Sequence, residues 1–195
     1  MTKRSNAGKS QPGRLRIVAG KWRSRLLDIA DVPGLRPTSE RIRETLFNWL
    51  SPRLHGARCL DLFAGTGALG LEALSRGAAQ TVFIEKATPA VRSLRNSIAA
   101  LDAGGATVLQ TDAVSYLKQQ QSTPFDIVFL DPPFADDSLE ELCRLLEDHN
   151  VLAKDALIYI EQDRSRPQVE LPPCWQLTKN KTAGNVRYML AQRTD

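Results

Sequence analysis

Between residues 58 and 161 the chain alternates short apolar runs of strand length with stretches of helical spacing, and this alternation most constrains its fold. The runs near 58–62, 81–85, 106–110, 126–130 and 156–161 are rich in β-branched and aromatic residues, whereas 68–76, 88–102, 113–120 and 137–147 repeat apolar residues every three or four positions. A strand–helix–strand order is satisfied by a parallel sheet with right-handed crossovers, which places the chain in the α/β class. Strands of such a sheet are covered on both faces, and ligands collect outside their carboxyl ends. The residues that terminate each run therefore carry the information about function.

The run Asp126–Leu130 stops at Asp131-Pro132-Pro133-Phe134. Neither proline can donate to a ladder, so the backbone turns outward and leaves a carboxylate, free carbonyls and an aromatic ring at a strand's carboxyl end. That set suits a planar amine. Asp131 and a prolyl carbonyl can accept its two N–H bonds, while Phe134 offers a ring face to the base that carries it.

Upstream, the run from Cys59 to Leu62 enters Phe63-Ala64-Gly65-Thr66-Gly67-Ala68-Leu69-Gly70, a glycine-rich turn before a helix. Gly65, Gly67 and Gly70 match the dinucleotide fingerprint, and Glu85 follows at about the spacing of a ribose-binding acid. Two further acids argue against a diphosphate. Asp61 borders the turn and Asp112 ends the next run, and a carboxylate at the turn repels a diphosphate but suits the cationic methionine moiety of S-adenosylmethionine.

The flanks read differently. Residues 1–13 are polar and read as a disordered basic tail, and Leu15–Ala19 with Leu26–Ile29 read as short strands around Gly20-Lys21, a hairpin extension over 14–37. Thr38 reads as the N-cap of a helix in which Ile42, Leu46, Trp49 and Leu50 recur until Pro52, so Phe47 and Trp49 are expected in the core. Residues 175–179 and 186–192 flank Lys181–Asn185 as an antiparallel hairpin at the sheet edge.

Net charge is +4, but residues 1–43 hold 11 Lys/Arg against Asp28, Asp31 and Glu40, a local +8 that leaves −4 for the remainder. A basic end on an acidic body is the footprint of a phosphate-backbone grip, with Trp22 and arginines available for stacking. Three widely spaced cysteines and two histidines support neither a disulfide framework nor a zinc site, so no metal and a reducing, cytoplasmic setting are expected. The longest apolar runs are strand-sized, so no membrane span is expected.

The order Asp61, Gly65-Thr66-Gly67, Glu85, Asp112, Asp131-Pro132-Pro133-Phe134 resembles the Rossmann-like S-adenosylmethionine-dependent methyltransferases that act on exocyclic or amide nitrogen. More narrowly, Arg16–Arg23, then Leu35-Arg36-Pro37-Thr38 and Arg41 through Leu50, resembles the RsmD family of 16S ribosomal RNA guanine-N2 methyltransferases. The likeness covers nearly the whole chain after Arg14. Its departures, Ala19 where a second glycine is common and Thr66 where serine often stands, remove no needed chemical group.

The resemblance implies a seven-stranded methyltransferase sheet with a reversed last strand over 38–195, and a base flipped out of folded RNA whose N2 takes the methyl group in line. It implies that Glu85 binds the ribose hydroxyls, Asp112 the adenine amino group, and Asp61 with Gly65–Gly67 the amino-acid end. Phe63, Ala64, Lys86 and Ala113 complete that cofactor set. Asp131, Pro132, Pro133 and Phe134 are the expected catalytic residues. Arg14, Arg16, Lys21, Trp22, Arg23, Arg36, Thr38, Arg41 and Arg43 are the expected RNA contacts. The expected partner is 16S rRNA or an assembling small subunit, met by a monomer. Rival readings are an amino-methyltransferase of DNA, one acting on a protein amide, and a non-enzymatic RNA-binding protein on the same fold.

Overall fold

The structure, a computed structural model, describes residues 13–29, 38–119, 123–134 and 138–194. The expected tail, apart from Gly13, lies outside them, and so does Arg36. The chain runs β1 (Arg14–Arg16), β2 (Leu26–Asp28), α1 (Glu40–Leu54), β3 (Arg58–Asp61), α2 (Ala68–Ser75), β4 (Gln80–Glu85), α3 (Thr88–Leu101), β5 (Ala106–Gln110), α4 (Ala113–Leu117), β6 (Phe125–Leu130), α5 (Leu139–Asp148), β7 (Leu152–Asp163), β8 (Trp175–Ala183) and β9 (Val186–Arg193). Seven strands form one sheet in the order β5-β4-β3-β6-β7-β9-β8. Strands β3 to β7 are mutually parallel, while β9 runs antiparallel to β7 and to the edge strand β8.

The sheet is the expected α/β one, and its topology positions the site. From β3 the chain winds outward through β4 and β5, then returns to β6 on the other side of β3, so the crevice between β3 and β6 is the topological switch point. Asp61 pairs in register with Phe129, which brings the glycine turn and the Asp131 motif side by side although about seventy residues separate them. Strand β6 is buried on both faces. Ile127 and Phe129 pack with Ile42, Leu46, Phe47 and Tyr159 on one side, and Val128 and Leu130 pack with Leu142, Leu146, Ile158 and Ile160 on the other.

Several boundaries differ from expectation. Ser39, not Thr38, caps α1, its hydroxyl accepting from the Ile42 amide at 3.3 Å. Helix α1 continues through Pro52 to Leu54, because that proline lies in the last turn, where only one ladder bond is lost. The apolar face Ile42, Leu46, Phe47, Leu50 and Leu54 continues past it, so burial outweighs that loss. Helix α4 is only one turn and a half, and β7 begins at Leu152. Strands β8 and β9 extend into the expected loop and meet at Gly184-Asn185. Phe47 is buried, whereas Trp49 is half-exposed and stacks on Tyr188 at 5.5 Å.

The β1–β2 hairpin buries Leu15, Ile17, Trp22 and Leu27 against Leu71, Leu74, Phe83 and Leu94. Gly20 makes this docking possible. Its φ is 83°, and a Cβ there would lie 1.9 Å from the Ser75 carbonyl oxygen, which accepts from the Lys21 amide at 2.7 Å.

Candidate active site

A cavity of about 1350 Å3 opens at the carboxyl ends of β3, β4, β5 and β6, and the β8–β9 turn forms part of its wall. The expected catalytic residues Asp131, Pro132, Pro133 and Phe134 all line it. So do Asp61, Phe63, Ala64, Gly65, Thr66, Glu85, Lys86, Asp112 and Ala113. Gly67 does not. It starts α2 with φ 78°, and a Cβ would come within 2.4 Å of Leu94, so this glycine serves packing of α2 on α3.

The glycine turn is already hydrogen-bonded from within. Glu85 accepts from the Gly65 amide at 2.9 Å and, through its other oxygen, from the Ala87 amide at 2.7 Å. Asp61 accepts from the Gly70 amide at 3.1 Å, and the Gly67 amide donates to the Ala64 carbonyl at 2.6 Å. Amides that would cradle a diphosphate are thereby taken by two carboxylates and a backbone carbonyl. Burial pushes the Asp61 carboxyl up to about 7, and the nearby Asp131 and Glu85 charges act in the same direction against bonds from the Gly70 and Phe63 amides. Asp112 is exposed and caps α4, accepting from the Ser115 amide at 2.8 Å, and its bonds to the Ser115 hydroxyl and amide hold it below the usual carboxylate range.

At the other wall the Thr38 hydroxyl donates to Asp131 Oδ2 at 3.2 Å. Burial raises the Asp131 carboxyl, and the Thr38 bond opposes that rise. Pro132 is buried, while Pro133 and Phe134 stand exposed on the rim. Beside them lies Glu161 near the end of β7, almost wholly buried and accepting from the Tyr159 hydroxyl at 2.6 Å. Burial and the Asp131 charge push its carboxyl up more strongly, against the pull of the Tyr159 and Thr38 hydroxyls. Nothing in the sequence reading singled out Glu161. The signal was there, an acid closing the run Leu157–Ile160, the same pattern that marks Glu85 and Asp131.

The family model described as conserved hypothetical protein 95 matches residues 15–192. A relative from Escherichia coli strain K12 named ribosomal RNA small subunit methyltransferase D is 50% identical over 184 residues, covering 94% of this chain and 92% of its own. The chain belongs to the RsmD family. A solved structure from Escherichia coli, 47% identical, superposes with a TM-score of 0.87 over 93% of this chain and 99% of that one. A more distant solved protein, complexed with SAH, reaches a TM-score of 0.69 at 16% identity over 96% of this chain and 58% of that one, a likeness of fold alone.

Within this RsmD-family chain the expected RNA contacts divide. Arg14 and Arg16 are exposed on the hairpin, at 3.7 Å from Asp28 and Glu40 respectively, and Lys21, Arg23 and Arg41 are exposed too. Trp22 and Arg43 are corrected, and Thr38 lies at the cavity. Trp22 is 7% exposed in the hairpin core, because its ring is the largest apolar group the hairpin has to bury, so it cannot stack on a base. Arg43 is 1% exposed and ion-paired with Glu72 at 3.2 Å, while its Nε donates to the Thr38 carbonyl at 3.2 Å. Thr38, 9% exposed, lines the cavity and turns its hydroxyl to Asp131.

Glu72, fully buried on α2, was also missed. It accepts from the Val18 and Ala19 amides at 2.8 and 2.9 Å and pairs with Arg43 and Arg76, tying hairpin, α1 and α2 together. Among the described residues no group of three or more His, Cys, Asp or Glu side chains is placed to hold a metal ion. No helix among them is long and apolar enough to cross a membrane.

Proposed function

We propose that this chain transfers a methyl group from S-adenosylmethionine to the exocyclic N2 of a guanine in 16S ribosomal RNA. The observation that carries the reading is the adjacency of two acid-bearing walls in one cavity: a glycine turn whose amides are satisfied by Glu85 and Asp61, and the Asp131-Pro132-Pro133-Phe134 lip one strand away. The donor set fits a cationic adenosyl compound and not a dinucleotide. The cavity volume of about 1350 Å3 exceeds the ~300–1,000 Å3 of ordinary ligand pockets, leaving room for a base beside the cofactor.

In this reading Asp61 and the turn hold the amino-acid end, Glu85 the ribose hydroxyls and Asp112 the adenine amino group. Bound S-adenosylmethionine would supply a methyl group made electrophilic by its sulfonium. Asp131 and the Pro132 carbonyl accept the hydrogens of the extruded amine, and Phe134 supports the ring. Those bonds turn the nitrogen lone pair toward the methyl group. Asp131 would take one proton from the amine once the nitrogen had accepted the methyl group. Catalysis is mostly positioning, a source worth up to ~7–11 kcal/mol in favourable cases. Arg14, Arg16, Lys21, Arg23 and Arg41 grip the phosphates of the small-subunit RNA.

The test is incubation with methyl-labelled S-adenosylmethionine and, separately, ribosomal RNA, small subunits, DNA and protein extract, followed by nucleoside analysis. N2-methylguanosine from small-subunit RNA is the expected product. Label in DNA or protein alone, or in no substrate, would overturn the reading.

A further inference from the structure

A second basic surface lies outside the N-terminal third. Residues 164–194 hold six Lys/Arg (Arg164, Arg166, Lys179, Lys181, Arg187 and Arg193) against one acid, Glu170, a local +5 inside the stretch 44–195 that carries −4 in all. Folding sorts these cations. Arg193 is ion-paired with Glu147, and the Arg187 guanidinium is turned to the Arg164 and Arg166 carbonyls. Arg164, Lys179 and Lys181 are exposed, and among the described residues none of the three is ion-paired.

Strand pairing aims the two lysines. Lys179 stands opposite Leu190 and Lys181 opposite Tyr188, and both partners belong to the core beneath α1. Directly opposed residues share a face of the sheet, so both lysines project to the α1 side. The register shift between Leu177 and Lys179 makes this so, because Leu177 packs on the other core, with Leu146 and Trp175, and an unbroken period of two would send Lys179 and Lys181 there as well. On the α1 side the Lys181 Nζ lies 5.8 Å from the ring centre of Trp49, the half-exposed indole that stacks on Tyr188. That is within cation–π range and holds the ammonium beside α1.

The same strand leads to the active site. Three residues past Lys181, on the order of 10 Å along the strand, the turn at Gly184-Asn185 lines the cavity, and Arg164 donates to the Gly184 carbonyl at 3.5 Å. Ser39 and Ile42, at the start of α1, line that cavity too, and the first turn between them carries the exposed Arg41 and Glu40, which lies 3.7 Å from Arg16 of the β1–β2 hairpin. Cations on both hairpins therefore border one opening. A base drawn into the cavity brings the phosphates on both of its sides to that rim, and a grip on one flank leaves the other unheld.

We propose that Arg164, Lys179 and Lys181 form a second phosphate grip, for the RNA strand that flanks the target base on the β8–β9 side of the cavity. The partner is taken from the methyl-transfer reading above; the surface itself is read from the fold. Lysines on an edge strand also discourage edge-to-edge pairing of sheets, a purpose that needs charge along the edge but no common face beside α1.

The test uses the full chain and a small-subunit ribosomal RNA transcript, with binding measured at several salt concentrations. The double variant Lys179→Ala/Lys181→Ala should lower the salt slope by roughly 0.7 for each lost contact, so that between 50 and 200 mM salt the parent loses about sevenfold more affinity than the variant. Lys179→Arg/Lys181→Arg should keep the parental slope, Arg164→Ala should lower it independently of β8, and S-adenosylhomocysteine binding should be unchanged in all three. A parental slope in both Ala variants, while replacing Arg14, Arg16 and Arg23 by Ala still lowers it, would overturn the second grip and leave the functional reading standing. Self-association of the double Ala variant in sedimentation, with its salt slope intact, would assign the lysines to edge protection and overturn it equally. Lowered slopes in a protein that methylates no RNA would keep the grip and overturn the functional reading.

Discussion

Two acidic sites of the chain, one fully buried and the other largely so, are built on opposite rules. Glu72 is fully buried but surrounded by donors: two guanidiniums, Arg43 and Arg76, and the amides of Val18 and Ala19. Asp61, Asp131 and Glu161 crowd together at the carboxyl ends of β3, β6 and β7, and among the described residues none of them is ion-paired. The first arrangement satisfies charge so that three elements hold together. The second leaves charge costly, which keeps three carboxyls above their usual range and ready to respond to a ligand. Burial alone thus does not distinguish a structural acid from a working one. The identity of its partners does.

The largest effect should come from breaking the paired site. Glu72→Ala leaves Arg43 buried without its partner, a change that typically costs about 3–5 kcal/mol. Thermal unfolding should show that loss, while the folded fraction keeps its cofactor affinity. A variant that melts like the parent would mean the hub does not hold hairpin, α1 and α2 together.

In the unpaired site the damage should fall on rate and spare the fold. Asp131→Asn keeps the shape but presents donors to an amine that also donates, so methyl transfer should drop by about 10²-fold or more. S-adenosylhomocysteine binding and unfolding should stay parental. Near-parental single-turnover rates would return the motif to a structural turn.

A smaller, signed effect comes from Asp61. Its raised folded-state value means that the folded protein binds the proton more tightly than the unfolded chain does. The stability this lends is complete below the ordinary carboxylate value of about 4 and is lost as pH rises through about 7. Stability should therefore decline across that window, and Asp61→Asn should flatten the decline. The cationic end of S-adenosylmethionine favours the ionised form, so binding near pH 6 should release a fraction of a proton. Calorimetry in buffers of different ionisation enthalpy reads that release, and equal heats would separate Asp61 from the ligand.

The smallest effect per residue should be on the hairpin surface. Replacing Arg14, Arg16 and Arg23 by Ala should lower the salt slope of RNA binding by roughly 0.7–0.9 for each lost phosphate contact, with cofactor affinity unchanged. Arg43→Ala should act in the Glu72 manner, through the melting temperature. If Arg43→Ala changed only the salt slope, the contrast between buried and exposed arginines would fail.

Much of the site was legible in the chain because strands and helices write their own periodicities and an open parallel sheet gathers its strand ends. Asp61, Glu85, Asp112 and Asp131 each close an apolar run, and the fold needs only its β3–β6 adjacency to bring them to one cavity. Gly70 read as one of three turn glycines, whereas a Cβ there would meet Phe83 at 2.2 Å, a packing reason that the assembled sheet and helix supply. Charge pairing was not legible.

Arg43 read as one more cation in a basic third, yet it lies 29 residues from the Glu72 that neutralises it, and Thr38 lies 93 residues from the Asp131 it serves. Local pattern states that a residue is polar or apolar and which face it shares. Whether a charge meets water, a counter-ion or another like charge depends on distances and desolvation that only the assembled sheet, helices and hairpin define. For that reason the sequence alone determined the α/β order, the acid-tipped strands and the Asp131-Pro132-Pro133-Phe134 lip. The tertiary structure decided that Arg43 and Trp22 are buried, that Thr38 belongs to the site, and that Glu161 stands beside Asp131.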